Sequence, residues 1–113
     1  MFFLKLEKTE KERWCKYHHP GCSSIYRVKV NAVWLSAANT WKHEQAKAKK
    51  AHDLLRLGHK YITEAVNNKT GQRHDLIDIT TGEIYEFETD KRRAKRFEGT
   101  NINVIQLWSE KDG

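Results

Sequence analysis

The sequence predicts an α/β fold built on a mixed β-sheet, and three features of the 113-residue chain lead to this prediction. The hydrophobic period becomes helical from Thr40 onward, which indicates a long helix. Two segments with strand-like alternation then flank Thr81-Gly82, a pair that is typical of a hairpin turn. The apolar run at 102–108 is nearly continuous, which favours a strand in the interior of a sheet. We therefore expect a three-layer core with the order helix, strand, strand, strand, helix, strand.

The chain is expected to form effectively one domain, with residues 40–113 as the core and residues 1–39 as an N-terminal β-hairpin packed on it. The segment SIYRVKVNAVWL, at 24–35, is rich in β-branched and aromatic residues and predicts a strand. No apolar run reaches the roughly 18 residues that a membrane span needs. The opening MFFLKLEK is too short and too quickly charged for a signal peptide, so we expect a cytoplasmic protein.

Each core element has its own boundary signals. Thr40 is expected to cap a helix that ends at Gly58, with Glu44 and Leu55 on its packed face. Asp90 or Thr89 is expected to cap the second helix. The other boundaries predict strands at 60–67, 73–80, 83–89 and 102–108 and a short helix at 91–99.

Acidic and basic residues are segregated around the hairpin, although the chain carries a formal net charge of +6. The next six residues after the hairpin, KRRAKR at 91–96, are basic at every position but one. A surface built only for solubility would intersperse the two signs. The segregation predicts that the acids hold a cation and that the bases hold an anion. The acids lie between 75 and 90, a stretch without Lys or Arg, and are Asp75, Asp78, Glu83, Glu86, Glu88 and Asp90.

Strand alternation brings some of these acids together. Glu86, Glu88 and Asp90 share one face of their strand, and we expect Asp75 to lie opposite Glu88 across the hairpin. Carboxylates at short range repel each other unless a cation or a proton lies between them. Oxygen ligands without Cys or His suit Mg²⁺ or Mn²⁺, so Asp75, Glu86 and Glu88 are the candidate metal ligands. The alternative is a solvated acidic hairpin that keeps an edge strand soluble.

Short acidic motifs recur through the core. The segment KHEQAKAKKAHDLLRLGHKYITEAV contains Glu44 and Glu64, RHD contains Asp75, and EFETDK contains Glu88, with Glu86 as the alternative acid. In this order, over about seventy residues, the motifs resemble the minimal core of the PD-(D/E)XK nuclease superfamily. The resemblance implies a metal-dependent nuclease in which Asp75 and Glu88 bind Mg²⁺ or Mn²⁺, Glu44 or Glu64 assists, and a lysine completes the site.

The last motif departs from the family pattern. Glu88-Thr89-Asp90-Lys91 has Asp where the family has Lys, and Lys91 comes one residue late. When the motif is aligned instead on Glu86-Phe87-Glu88, it resembles the variant in which Glu replaces Lys. Lys91, or Lys95 from the following helix, is a candidate replacement for the missing cation. The alternative is a nuclease-like fold that has lost catalysis and binds nucleic acid.

The basic run is the candidate nucleic-acid surface. Arg92, Arg93, Lys95 and Arg96 can each reach a phosphate, and Lys47 on the first helix would extend the track. The alternative is a solvated helix face, or a surface that docks a protein. DNA is favoured over RNA by family frequency only. A single domain cuts one strand per site, so cutting a duplex would require a homodimer.

A turn that contains Pro20-Gly21 carries four potential metal ligands. One turn rarely supplies a closed Zn²⁺ site, and the chain has no second Cys pair, so we favour an ordinary turn with two free cysteines. The four ligands are Cys15, His18, His19 and Cys22. The tryptophans of this half are expected to pack in the core and hairpin rather than stack on bases, and they are Trp14, Trp34 and Trp41.

Overall fold

Three consecutive strands form the middle of the described chain, and helices precede and follow them. The structure is a computed structural model that describes residues 6–20 and 29–108. In chain order, the elements are α1 Lys8–Trp14, β1 Tyr17–His18, α2 Trp41–Arg56, β2 Tyr61–Asn67, β3 Arg73–Asp78, β4 Ile84–Glu88, α3 Lys91–Ala94, a 3₁₀ turn Lys95–Phe97 and β5 Ile102–Gln106. The predicted α/β class and the predicted order of the core elements are therefore confirmed.

The five strands form one mixed sheet in which their spatial order follows their order in the chain. Strands β1 to β4 pair antiparallel, and β5 pairs parallel to β4 after the crossover through α3. The prediction that 102–108 forms an interior strand is wrong, because β5 is the edge strand of the sheet in the described chain. Its side chains alternate between half-buried and exposed positions. No helix in the described ranges is long and apolar enough to cross a membrane.

Helix α2 begins and ends at the residues that the sequence predicts. The Thr40 hydroxyl accepts the His43 N–H at 3.2 Å, and Gly58 leaves the helix with a φ of +80°. The packed face of α2 lies on one side of the sheet. Leu55, which we expected on that face, is 48% exposed. The buried cluster on this side consists of Ala51, Leu54, Tyr61, Leu76, Tyr85 and Phe87.

A second apolar cluster covers the other face of the sheet. Trp14 of α1 packs against it, so α1 helps to cover this face. The Arg13 guanidinium fixes α1 to the β3–β4 turn by donating to the carbonyl oxygens of Ile79 at 2.6 Å and Thr80 at 2.9 Å. The cluster consists of Tyr17, Ile62, Ala65, Ile77 and Ile79.

The N-terminal region differs from the predicted β-hairpin. Residues 29–35 of the expected strand 24–35 form no strand, and residues 24–28 lie outside the described residues. Helix α1 was not predicted, because its sequence KTEKERW has no apolar stripe of its own. A local signal for it is the capping box, in which the Glu7 N–H donates to the Glu10 carboxylate at 2.8 Å.

Candidate active site

Strands β3 and β4 part from each other at Asp75. Their ladder pairs Ile77 with Ile84 and Leu76 with Tyr85. Beyond these pairs, the Phe87 N–H donates to Asp75 Oδ2 at 2.9 Å. The Asp75 carboxylate therefore fills a gap between the two strands, and this gap opens the site.

A second irregularity lies opposite Asp75 on β2. Glu64 has a φ of +48°, a left-handed conformation that is uncommon for residues other than glycine. Ile62 and Ala65, three residues apart, belong to the same apolar cluster, which strict strand alternation does not allow. The change of face at this point turns Glu64 toward α2, where it pairs with Lys47.

The three candidate metal ligands line one cleft of about 790 Å³. Glu86 and Glu88 are 5% and 8% exposed, so the acids lie deep rather than on a solvated hairpin. Asn39 and Thr40, which precede α2, and His43 line the same cleft. Its charged residues are Asp75, Glu86, Glu88, Arg73, Arg93 and Arg96.

The acid that interacts with Asp75 is Glu86, whereas we expected Glu88 to lie opposite it across the hairpin. Burial, together with the neighbouring Asp75, raises the pKa of Glu86 to about 7, although His74 at 2.9 Å opposes the shift. Burial also acts on Asp75, but the hydrogen bonds from His43 and from the Phe87 N–H hold the pKa of Asp75 below its ordinary value. Near neutral pH, Glu86 therefore takes up a proton while Asp75 stays ionised.

His43 joins the acids of the cleft to those behind it, and the sequence reasoning missed it. Its Nε2 lies 3.1 Å from Asp75 Oδ2 and its Nδ1 lies 2.9 Å from Glu44 Oε1. The hydrogen bond to Asp75 raises the pKa of His43 above its ordinary value, despite burial. A doubly protonated ring can donate to both carboxylates at once. Its position beside Glu44 on the packed face of α2 is the one sequence signal that pointed to it.

Glu44 and Glu64 form a buried network with Lys47 behind the cleft. Lys47 Nζ lies 2.8 Å from each carboxylate and donates to the Trp34 carbonyl at 2.7 Å. Glu64 also pairs with Arg73 at 2.6 Å. Burial would raise the pKa of Glu44, but Lys47 and other donors lower it to about 2. Neither acid is among the described residues that line the cleft, so both support the site from behind.

Lys47 is not a surface residue. We expected it to extend the nucleic-acid track, but its side chain is fully buried. A phosphate cannot reach it without breaking its ion pairs with Glu44 and Glu64. That expectation is therefore wrong, because helix periodicity places Lys47 on the packed face of α2, beside the acids.

The basic run after β4 divides into two groups. Asp90 caps α3 by accepting the Arg92 N–H at 2.8 Å. Arg93 and Arg96 line the cleft, and Arg96 Nη2 lies 3.4 Å from Glu88 Oε2. The other three basic residues, Lys91, Arg92 and Lys95, are exposed but are not among the described residues that line the cleft. Arginines rather than lysines therefore supply the exposed positive charge beside the acids.

The carboxylates of the cleft fit a divalent cation held partly by water and substrate. Within the described ranges, no three His, Cys, Asp or Glu side chains are grouped as a complete metal site. Mg²⁺ usually binds one or two carboxylates and completes its shell with water and phosphate oxygens. Asp75 and Glu86 form such a pair, and a cation between them would relieve the repulsion that helps to raise the pKa of Glu86.

The cysteine–histidine turn makes other contacts. His19 is buried, its Nε2 accepts the Lys29 N–H at 3.0 Å, and its ring stacks on Trp34 with centroids 3.7 Å apart. His18 Nδ1 lies 2.6 Å from the Asn68 side chain, and Cys15 is exposed. Cys22 lies outside the described residues. The contacts of His19 give it a structural role that does not require zinc.

Comparisons of the chain with models of known protein families, with curated proteins and with solved structures found no match. The fold and the site together describe an α/β protein that has a cleft of paired carboxylates and arginines at the point where two strands of its sheet diverge.

Proposed function

We propose that this protein is a metal-dependent nuclease that hydrolyses phosphodiester bonds, with DNA as the favoured substrate. The observation that carries the proposal is that Asp75, Glu86 and Glu88 line one cleft with arginines. A phosphodiester needs a cation at its non-bridging oxygens and donors that hold its negative charge. Carboxylates that can bind Mg²⁺ or Mn²⁺, next to arginines, meet both needs.

Each residue of the cleft has a distinct task in this proposal. Asp75 and Glu86 would hold the metal ion, which supplies neutralising charge and an activated water when bound. Glu88, in the same cleft, is the third candidate ligand. His43 fixes the orientation of the Asp75 carboxylate through its 3.1 Å contact. Arg93 and Arg96 would bind the substrate phosphates, in place of the lysine that the family pattern contains.

A specific observation favours a second candidate, a catalytically inactive module that binds nucleic acid. The acids of the site already have partners within the protein, with His43 on Asp75, His74 on Glu86 and Arg96 on Glu88. A site satisfied in this way does not need a metal ion to be stable. Such a module would bind phosphates through its arginines and would leave the strand intact.

Cleavage tests separate the two candidates. Purified protein is incubated with supercoiled plasmid and with single-stranded and branched DNA, in Mg²⁺, Mn²⁺ or EDTA. We expect cleavage with either metal, none in EDTA, and a loss of more than about a hundredfold in rate for Asp75→Asn and Glu86→Gln. Asp53→Asn, an exposed site on α2, is the control of equal charge change. Salt-sensitive binding without cleavage in any metal would leave the inactive module as the function.

A further inference from the structure

Trp41 is the exposed tryptophan of this chain. Its residue exposure is 69%, whereas Trp14, Trp34 and Trp108 are partly buried. We expected Trp41 to pack in the core or hairpin, and that expectation is wrong. Trp34 stacks on His19, and Trp14 packs against the cluster under α1. An indole exposed at this level contributes little to the stability of the fold and can offer its face to a ligand.

Trp41 lies next to cleft-lining residues along the chain. It is the first residue of α2, and the three residues before it, 38–40, all line the cleft. His43, two residues later, lines the cleft as well and contacts Asp75. Trp41 itself is not among the described residues that line the cleft, so its backbone borders the cleft and its exposed indole lies outside the lining, at the end where α2 begins.

The charges of the cleft favour one kind of occupant. Arg73, Arg93 and Arg96 line it, and the Arg73 and Arg96 side chains are 45% and 63% exposed. A strand bound there would have its phosphates on these arginines, and the exposed aromatic ring at the start of α2 offers a face for a base. Proteins that bind single strands combine a basic groove with exposed aromatic side chains in this way. Bases in a duplex are stacked on their neighbours and offer no free face.

We infer that the substrate of this site is a single-stranded nucleic acid, one base of which stacks on Trp41 while its phosphates contact the cleft arginines. The inference rests on the proposed function, because it names the substrate of the same cleft. The volume of about 790 Å³ lies within the range of clefts that hold small-molecule ligands, so the cleft has room for about one or two nucleotides.

Tryptophan fluorescence tests the inference without cleavage. A short oligothymidylate is titrated into the protein in EDTA, where a metal-dependent nuclease is inactive. The wild type should show quenching, and Trp41→Phe should lose most of it while keeping its affinity within about threefold, because Phe also stacks. Trp41→Ala should weaken binding by between about fivefold and about a hundredfold. Leu55→Ala, at an exposed apolar site on the same helix, should bind like the wild type.

Two further probes identify the strand that binds. An oligouridylate tests RNA against DNA, and a blunt duplex tests single strands against paired ones. The inference would be overturned if Trp41→Ala bound oligothymidylate and oligouridylate as tightly as the wild type does. It would also be overturned if the substitution weakened duplex binding as much as it weakens single-strand binding. Trp41-dependent binding without cleavage in any metal would disprove the nuclease and leave the inference standing. If Trp41→Ala left metal-dependent cleavage of duplex DNA unchanged, the nuclease proposal would stand and the inference would be disproved.

Discussion

Glu86 is the acid of the cleft whose charged form is disfavoured by its surroundings. The sequence predicts repulsion among Asp75, Glu86 and Glu88 and does not distinguish between them. Asp75 accepts hydrogen bonds from His43 and from the Phe87 N–H, and its pKa is lowered. The pKa of Glu86 is raised, from 4.5 to about 7, by burial and by Asp75. Burial and repulsion therefore act mainly on the pKa of Glu86.

Glu86→Gln should stabilise the metal-free protein at pH 8 but not at pH 5. Because the pKa of Glu86 is higher in the folded protein than in the unfolded chain, folding takes up a proton between about pH 5 and pH 7, and stability falls as the pH rises through this window. The advantage of Gln should grow by roughly 1–3 kcal/mol from pH 5 to pH 8, measured by urea unfolding. His43 titrates in both proteins, so the difference in stability between them reports on Glu86.

The exposed Glu98→Gln is the matched control for this measurement, since it removes the same charge at the surface. Its stability relative to the wild type should change little between the two pH values. An advantage of Glu86→Gln that stays constant from pH 5 to pH 8 would contradict the raised pKa.

Lys47 is the buried cation on which the network behind the cleft depends. Lys47→Met preserves the shape of the side chain but leaves Glu44 and Glu64 buried without their common partner. Breaking a buried ion pair from one side typically costs about 3–5 kcal/mol. We expect a loss of that size in urea unfolding. Lys49→Met, an exposed position on the same helix, should change stability by no more than about 0.5 kcal/mol, and equal losses in the two variants would contradict the network.

At the scale of elements, the arginines of α3 and its 3₁₀ turn fall into two groups. Arg93 and Arg96 line the cleft, whereas Arg92 is exposed and is not among the described residues that line it. Arg93→Ala and Arg96→Ala should each weaken binding of oligonucleotides and lower the salt dependence by about one phosphate contact. They should also reduce the rate of cleavage at saturating substrate, because both residues line the cleft. Arg92→Ala is the matched control, which we expect to affect binding alone. A larger loss of cleavage in Arg92→Ala than in Arg93→Ala would contradict this division.

The element pattern was predictable from the sequence, but the geometry of the site was not. Period, capping residues and the Thr-Gly turn predict α2 and β2 to β4, because these signals are local. The switch of face at Glu64 and Asp75 depends on a left-handed Glu held by Lys47 and Arg73, which no local pattern indicates. That switch brings Asp75 to His43 and Glu86. Strict alternation had instead paired Asp75 with Glu88.

At the scale of the whole molecule, burial changes the balance of charge. Among the described residues, Lys47 is the one fully buried lysine or arginine. The exposed surface is therefore more basic than the formal net charge of +6 indicates. The clustered acids serve the interior of the site, and the bases remain available to an anionic partner. The buried carboxylates are Glu10, Glu44, Glu64, Asp78, Glu86 and Glu88.

Metal binding should raise the melting temperature of the whole protein. A cation bound only by the folded state stabilises it by about 2.7 kcal/mol at a hundred times its dissociation constant, or by several degrees in a domain of this size. We expect this shift with Mg²⁺ or Mn²⁺ in the wild type and in Asp53→Asn, measured by scanning calorimetry. Asp75→Asn should lose it, because the amide is a poorer ligand and carries no charge.

Asp78→Asn separates a loss of metal binding from a loss of stability. Asp78 is buried and accepts hydrogen bonds from the N–H groups of Thr80 and Thr81, while His59 lies 2.7 Å from its carboxylate. The variant should melt at a lower temperature than the wild type in EDTA, because these contacts hold the β3–β4 turn. It should still respond to Mg²⁺ or Mn²⁺ with the full shift, since Asp78 is remote from the cleft lining. A metal shift that survives in Asp75→Asn and disappears in Asp78→Asn would move the metal site to the turn and end the assignment of the cleft.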